Sequence, residues 1–298
     1  MLGCFGRDAG SLLGVEIASG SIRMLHLHRQ RGGWRVQGWA HERLGAASGS
    51  SLEFDQMERL VAGLRQAHAR CRTSQCRAAL ALPASQVICK VCRLPAGLPG
   101  HAVEAALLAQ AEQLFPFPLE DLALDYWVQG ACAEDPGQFE VLVVACRQSQ
   151  LDPWERVFAK AGLQLEAVEV DSFALRRALL SEAQARSAVL LQLEPGEVVM
   201  HRWHGGRVAQ RQRIALPSME RWAEAVDGLW QPDIQGAFEQ VVLFGAAADE
   251  ARAADLSEHL GVKCHVGRPG PLVSGFDETS VPAASMVLAC GLAMGGRA

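Results

Sequence analysis

The chain has 298 residues, of which 49% are hydrophobic and 20% charged, and its formal net charge is −5. That length supports two domain-sized cores, and a negative balance with no dense Lys/Arg run excludes a general polyanion binder. No stretch reaches the roughly 18 apolar residues of a membrane span, and the apolar core of Met1–Arg7 is too short for a secretory signal.

Leu12–Ile17, Ile22–His28 and Trp34–His41 read as the strands of a meander, with Arg31-Gly32-Gly33 turning the second hairpin. Phe54–Ala69 is an amphipathic helix carrying Met57, Leu60, Val61 and Leu64 at spacings of three and four. Ala78–Leu82 is a short buried strand. A different unit begins near Ser85. It comprises a strand around Cys89, a helix over 102–115, strands Ala123–Val128 and Phe139–Cys146, and a helix Leu151–Ala161. The order β-α-β-β-α describes a compact α+β module. Within it, Pro116 lacks an N–H and Pro118 restrains Phe117 to an extended shape, so the helix ends near Phe115. Phe115, Phe117 and Leu119 then form a rigid apolar knuckle, open either to a partner or to the module's own core. Leu165–Val170 returns as a strand, and Asp171 caps a helix Ser172–Leu180.

The plan then restarts. Ser187–Leu193, Glu197–Trp203 and Arg207–Ile214 form a second meander. A helix Ser218–Trp230, a strand Gln240–Gly245, a helix Ala248–Leu260 and a short strand at Cys264-His265-Val266 follow. The uncharged, Gly/Ala-rich stretch Val281–Gly296 reads as a buried helix. Two meanders, each followed by helices and strands, predict two lobes of one plan. Residues 1–84 form the core of the first lobe, 85–164 an inserted α+β subdomain and 165–186 the return. Residues 187–298 form the second lobe, with a C-terminal helix that packs back on the first.

Nine scattered cysteines suit a reduced compartment. Cys89 and Cys92 lie three apart on a strand and point to opposite faces, so they do not chelate zinc together. His26 with His28, and His201 with His204, read as solvated or packed histidines rather than metal pairs. There is no G-x-x-x-x-G-K-[ST] loop and no G-x-S-x-G elbow. Taken alone, Ala18-Ser19-Gly20-Ser21 is an ordinary hairpin turn in which small residues also leave room for a phosphate cradle.

The knuckle Gln110–Asp121 resembles the mark of the PilM family, the cytoplasmic actin-like assembly proteins of type IV pili. Leu13-Gly14-Val15-Glu16-Ile17-Ala18-Ser19-Gly20-Ser21 resembles that family's first phosphate turn, and Ala145-Cys146-Arg147 the end of its inserted module. Val168–Leu175 is similar to its return to the first lobe, and Gly291-Leu292-Ala293 to its C-terminal helix. The resemblance implies an α/β, actin-like (ribonuclease H-like) two-lobe fold with an inserted α+β subdomain in lobe I and a reduced lobe II. It implies ATP and magnesium between the lobes, at Glu16, Ala18, Ser19, Gly20, Ser21, Gly245 and Ala246. It also implies a cytoplasmic scaffold, peripheral at the inner membrane. Such a scaffold binds the N-terminal tail of a PilN-type membrane protein between the first lobe and the inserted module, with Phe115, Phe117 and Leu119 at the site.

The chain departs from the family at the nucleotide. Glu16 stands where the family has Asp, Gln192 replaces a second acid, and Pro195 removes a donor. Glu194 and Glu197 add negative charge, and Ala246 and Ala247 crowd the turn after the strand at Gln240. These changes predict weak ATP binding and negligible hydrolysis. The alternative is a working ATPase or ATP-gated switch in a pilus, type II secretion or competence system. A sugar-kinase-like enzyme is a third reading, but it lacks a catalytic acid and enough second-lobe chain.

Overall fold

The computed structural model describes residues 11–18, 20–44, 52–181, 184, 187–204, 208–230, 238–270, 272–276 and 283–295. In chain order these form β1 (Leu13–Ala18), β2 (Ser21–Gln30), β3 (Gly33–Arg43), α1 (Leu52–Cys71) and β4 (Arg77–Leu82). Then come β5 (Ile88–Pro95), α2 (Gly100–Leu114), β6 (Leu122–Ala131), β7 (Gln138–Arg147), α3 (Gln148–Ala161), β8 (Gln164–Val170) and α4 (Asp171–Leu179). The rest comprises β9 (Ala188–Glu194), β10 (Glu197–His204), β11 (Val208–Ala215), α5 (Trp222–Leu229), β12 (Gln240–Phe244), α6 (Glu250–Leu260), β13 (Lys263–Val266), β14 (Val273–Ser274) and α7 (Val287–Ala293).

Three sheets organise the chain. The first has the order β14-β3-β2-β1-β4-β8, the second β11-β10-β9-β12-β13, and the third β5-β7-β6. In the first, β1 pairs antiparallel with β2 and parallel with β4. In the second, β9 pairs antiparallel with β10 and parallel with β12. The two strands therefore hold equivalent places in two sheets of one plan. The third sheet belongs to the chain between β4 and β8.

Apolar alternation sets the layers. Val15, Ile22 and Met24 meet Val61 and Leu64 of α1 and Phe158 of α3 in the first core. Leu191, Val198 and Leu243 meet Val226 of α5 and Leu256 of α6 in the second. Cys92, Val141 and Val143 meet Leu107 of α2 in the third. Cys89 packs on the other side of that sheet, near Ala84 and Val170, as the strand period requires. Helix α2 stops at Leu114, with Phe115 extended at φ −129°. Helix bounds shift from the sequence reading by a few residues at several ends, and within the expected helix over 281–296 the described residues form a 3-10 turn followed by the short α7; two starts have a visible local cause. The segment from Ser218 begins as a 3-10 turn over Met219–Arg221 before α5 starts. Helix α6 starts at Glu250 because the Asp249 carboxylate accepts the Arg252 N–H at 2.8 Å.

The chain leaves the second lobe earlier than expected. β14 pairs with β3, and Trp34 N–H donates to Leu272 O at 2.6 Å, so the first sheet has recovered the chain by residue 272. Helix α7 then lies on β1, β2 and α4. Two glycines permit this approach. A Cβ on Gly14 would stand 2.0 Å from Ala289 O, and one on Gly291 would stand 2.0 Å from Ala174 O.

Candidate functional site between the lobes

Two hairpins face each other across the lobes. The β1–β2 hairpin closes on Ala18 opposite Ser21, and the β9–β10 hairpin on Glu194 opposite Glu197. By register Ala18 corresponds to Glu194, and Glu16 to Gln192. Where the first lobe has a small residue, the second has a carboxylate. Ser19, an expected phosphate contact, lies outside the described residues. Gly20 is exposed, and a Cβ there would meet nothing within 4 Å, so packing does not require a glycine at this turn.

Arg23 of β2 fills the space between the hairpins and is 1% exposed. Its Nη1 donates to Glu16 Oε1 at 2.9 Å and to Glu194 Oε1 at 2.8 Å, while Nη2 donates to Glu194 Oε2 at 2.6 Å. Gln192 Nε2 donates to Glu16 Oε1 at 3.3 Å and lies 3.4 Å from Glu194 Oε1. The turn after β12 completes the group. Gly245 has φ +107°, where a Cβ would stand 2.5 Å from Leu193 O, and the Ala246 N–H donates to Glu194 Oε1 at 3.3 Å. Of the expected cofactor residues, Glu16 and Ala246 are joined here through Glu194. Arg23, which holds them together, was not among the expected site residues.

Burial raises the Glu16 carboxyl to about 7; Arg23 opposes the rise and Glu194 adds to it. Desolvation works against the Arg23 charge, but Glu16 and Glu194 outweigh it and hold the guanidinium above its ordinary range. With one proton on Glu16, two carboxyls and one guanidinium are neutral together. The two Nη groups of Arg23, the Gln192 amide and the Ala246 N–H are all engaged by the carboxyl groups of Glu16 and Glu194, and Arg23 Nε is enclosed without a partner. The residues present therefore do not fit a nucleotide phosphate with its magnesium.

A second buried polar group joins the lobes beside the first. The Asp171 Oδ1 accepts the Ala84 N–H at 2.9 Å and the Ser172 N–H at 2.6 Å. Its Oδ2 pairs with Arg211 Nε of β11 at 3.0 Å. The sequence reading makes Asp171 a cap; the structure puts it in the first turn of α4, after Val170, with its carboxylate spent on three elements. Ser172 Oγ lies 2.9 Å from His201 Nδ1 and 3.1 Å from Asp171 Oδ1. The single Ser172 proton satisfies Asp171, and a His201 tautomer protonated at Nδ1 then donates to the hydroxyl. Burial lowers His201 to about 4, Asp171 opposing and Arg211 reinforcing. Ser172 and His201 are both 0% exposed, so this pair ties elements together and faces no substrate.

A narrow groove, mostly closed by packing, lies in the seam between the first lobe and the inserted module. Leu82, Val168 and Val170 form one wall, and Val87, Val144 and Cys146 the other, with the carboxylates of Asp125 and Glu169 among them. Arg177 holds Glu169 and also donates to Gly291 O at 2.6 Å. The knuckle sits on the opposite face of the module's sheet. Phe115 is 3% exposed in the core against α2, Phe117 packs half-buried on that core, and Leu119 is 47% exposed. The Lys90 ammonium lies 5.8 Å from the Phe115 ring centre and the Arg147 guanidinium 5.0 Å from that of Phe117. Phe115, Phe117 and Leu119 are not among the residues lining the groove, and Phe115 belongs to the module's own core.

Among the described residues no helix is long and apolar enough to cross a membrane. The chain is similar in fold to the solved structure of a PilM-PilN type IV pilus biogenesis complex, with 19% identity and a TM-score of 0.69 over 95% of this chain and 98% of that one. It is also similar to the cytoplasmic domain of EpsL, an inner-membrane component of the type II secretion system of Vibrio cholerae. That match has 12% identity and a TM-score of 0.52, covering 97% of each chain. A glycerol dehydratase reactivase matches at 8% identity and a TM-score of 0.50, covering 95% of this chain and 99% of that one. These likenesses, with the two matching sheets, make the fold actin-like. The model of the family described as type IV pilus assembly protein PilM matches residues 14–191, more than half of the chain, and the chain therefore belongs to the PilM family of type IV pilus assembly proteins.

Proposed function

We propose that this protein is a scaffold of a type IV pilus assembly complex, and that it holds the N-terminal tail of a PilN-type inner-membrane protein in the groove between β4/β8 and the inserted module. The observation that carries the reading is the apolar seam itself, whose side chains come from the first lobe on one side and the inserted module on the other. An extended tail can lie along such a seam with alternate side chains turned toward it. Family membership supports the pilus role, and the related solved complex supports a PilN partner. On this reading the protein works at the cytoplasmic face of the inner membrane, through its partner, by binding rather than by hydrolysis. The competing reading is an ATP-driven switch on the same fold, and what favours it is an acid, Glu16, retained in the first hairpin.

The test is a titration of the tail peptide against wild type and Val87→Arg, run beside a thermal melt. Val87 is a half-buried wall residue, so a long cation there obstructs the slot while its head reaches water. Tail affinity is expected to fall at least about tenfold, or about 1.4 kcal/mol, with the melting temperature little changed. Full affinity in a folded Val87→Arg protein would remove the groove from the reading. Phosphate release from Mg-ATP, assayed alongside, is expected to stay at background; steady turnover lost in Glu16→Ala would favour the switch.

A further inference from the structure

The buried group around Arg23 has the construction of an anion site. Two guanidinium nitrogens, a side-chain amide and a backbone N–H converge from three segments on one carboxylate. Such convergence of N–H donors with a left-handed turn glycine is how proteins hold phosphate. The anion held here is Glu194, from the second lobe, and three of its four donors belong to other segments of the chain. Arg23 Nε and Glu16 Oε2 are buried with no hydrogen-bond partner, so the site is organised around the Glu194 carboxylate and not around Glu16. The register equivalence of Glu194 with Ala18 has a further meaning. A carboxylate stands at the hairpin position equivalent to Ala18, and from there it reaches the opposing lobe's guanidinium.

We infer that Glu194 is the permanent ligand of the inter-lobe cleft: its carboxylate occupies, on Arg23 and the Ala246 amide, the place of a phosphate, and it fixes the two lobes in one arrangement without nucleotide. This goes beyond the tail-binding reading and does not rest on it. Glu16 contributes a second contact to Arg23 Nη1, and Gln192 neutrally bridges the two acids. Removing Glu194 leaves a buried guanidinium facing a vacated, donor-lined space, which an added anion can enter.

The experiment is anion rescue. Glu194→Ala is expected to melt about 10 °C below wild type, since half of a buried ion pair is lost. Sodium pyrophosphate and sodium acetate, each against sodium chloride of matched ionic strength, should raise that melting temperature with saturation, pyrophosphate at the lower concentration. Wild type should respond to neither beyond the chloride control, nor to millimolar Mg-ATP. A reciprocal variant, Arg23→Glu/Glu194→Arg, keeps two acids and one guanidinium in the cleft and should recover part of the loss while abolishing rescue. A Glu194→Ala protein that shows no saturable rescue overturns the inference, as does a wild-type protein stabilised saturably by pyrophosphate or Mg-ATP. If Glu194→Ala does not fold, Glu194→Gln takes its place. That variant keeps the shape but not the charge, and it must still melt below wild type; unchanged stability overturns the inference equally.

Discussion

Glu16 and His201 are both enclosed, and burial pushes both toward their neutral forms, with opposite consequences for stability. Glu16 rises from 4.5 to about 7, so between those values the folded protein keeps a proton that the unfolded chain releases. Stability from this group is full below about 4.5 and is lost as pH rises toward 7. His201 falls from 6.5 to about 4, so there the unfolded chain takes a proton that the folded protein refuses. Its contribution is full above 6.5 and is lost as pH falls toward 4. Across the overlap the two slopes oppose each other. Urea midpoints should therefore separate the variants from wild type in opposite directions. Relative to wild type, Glu16→Gln should gain stability with rising pH, and His201→Gln should lose it, each by at most about 1.4 kcal/mol per pH unit. Parallel profiles for both variants would refute the assignment. The sequence shows Glu194 as excess negative charge near a turn, but it does not show Arg23 as its partner. Arg23 sits between Ile22 and Met24 in a strand and looks like any outward polar residue. Its burial follows only when a residue 171 positions away closes over it.

At the scale of elements, α7 and the knuckle make contrasting demands on single side chains. α7 meets β1 and α4 by backbone contact at Gly14 and Gly291, and neither a carbonyl nor a helix can yield there as a side chain would. Gly14→Ala and Gly291→Ala should each cost about 3 kcal/mol or more of unfolding free energy. Gly20→Ala, in the open turn, should cost less than about 1 kcal/mol. Chemical denaturation orders the three, and a neutral Gly291→Ala would contradict the packing. In the inserted module, Phe115→Ala should cost about 3–5 kcal/mol and the half-buried Phe117→Ala clearly less, read by the same denaturation. Tail affinity should be unchanged in both wherever the protein is folded, because the groove lies on the other face of the sheet. Most elements were legible because their apolar residues repeat at 2 or 3.6 positions. The helix end at Leu114 was legible because Pro116 and Pro118 permit little else. The face to which Phe117 turns was not, since an extended residue between prolines has no period to read. β14, two residues long, has none either.

At the scale of the molecule, the first lobe is assembled from three separated pieces of chain. Residues 13–82 and 164–179 supply most of it, and the return from residue 272 supplies the edge strand β14 and the helix α7 beneath β1 and β2. A chain cut after Arg268 should therefore damage the first lobe most, although it also removes Val287, Leu288 and Leu292 from their packing on Leu190, Val242 and Phe244 of the second. Amide exchange in β1 and β2 should accelerate by about tenfold or more, and that in β9 and β12 by clearly less. Equal loss in both sheets would show the lobes to be one cooperative unit. The repetition of two meanders made the two-lobe plan readable in advance. The early return at residue 272 was hidden, because Leu272 and Val273 look like any short loop until β3 supplies their partner. The Arg23–Glu194 bridge carries a consequence of another kind. A diffusible anion reaches its site according to its concentration, and it can be exchanged or consumed. A carboxylate carried on the same chain arrives once per molecule, at a local concentration set by the fold alone. If Glu194 is the cleft's permanent ligand, the arrangement of the lobes is settled when the chain folds rather than by the cell's adenylate supply, and the arrival and departure of protein partners become the events able to disturb it.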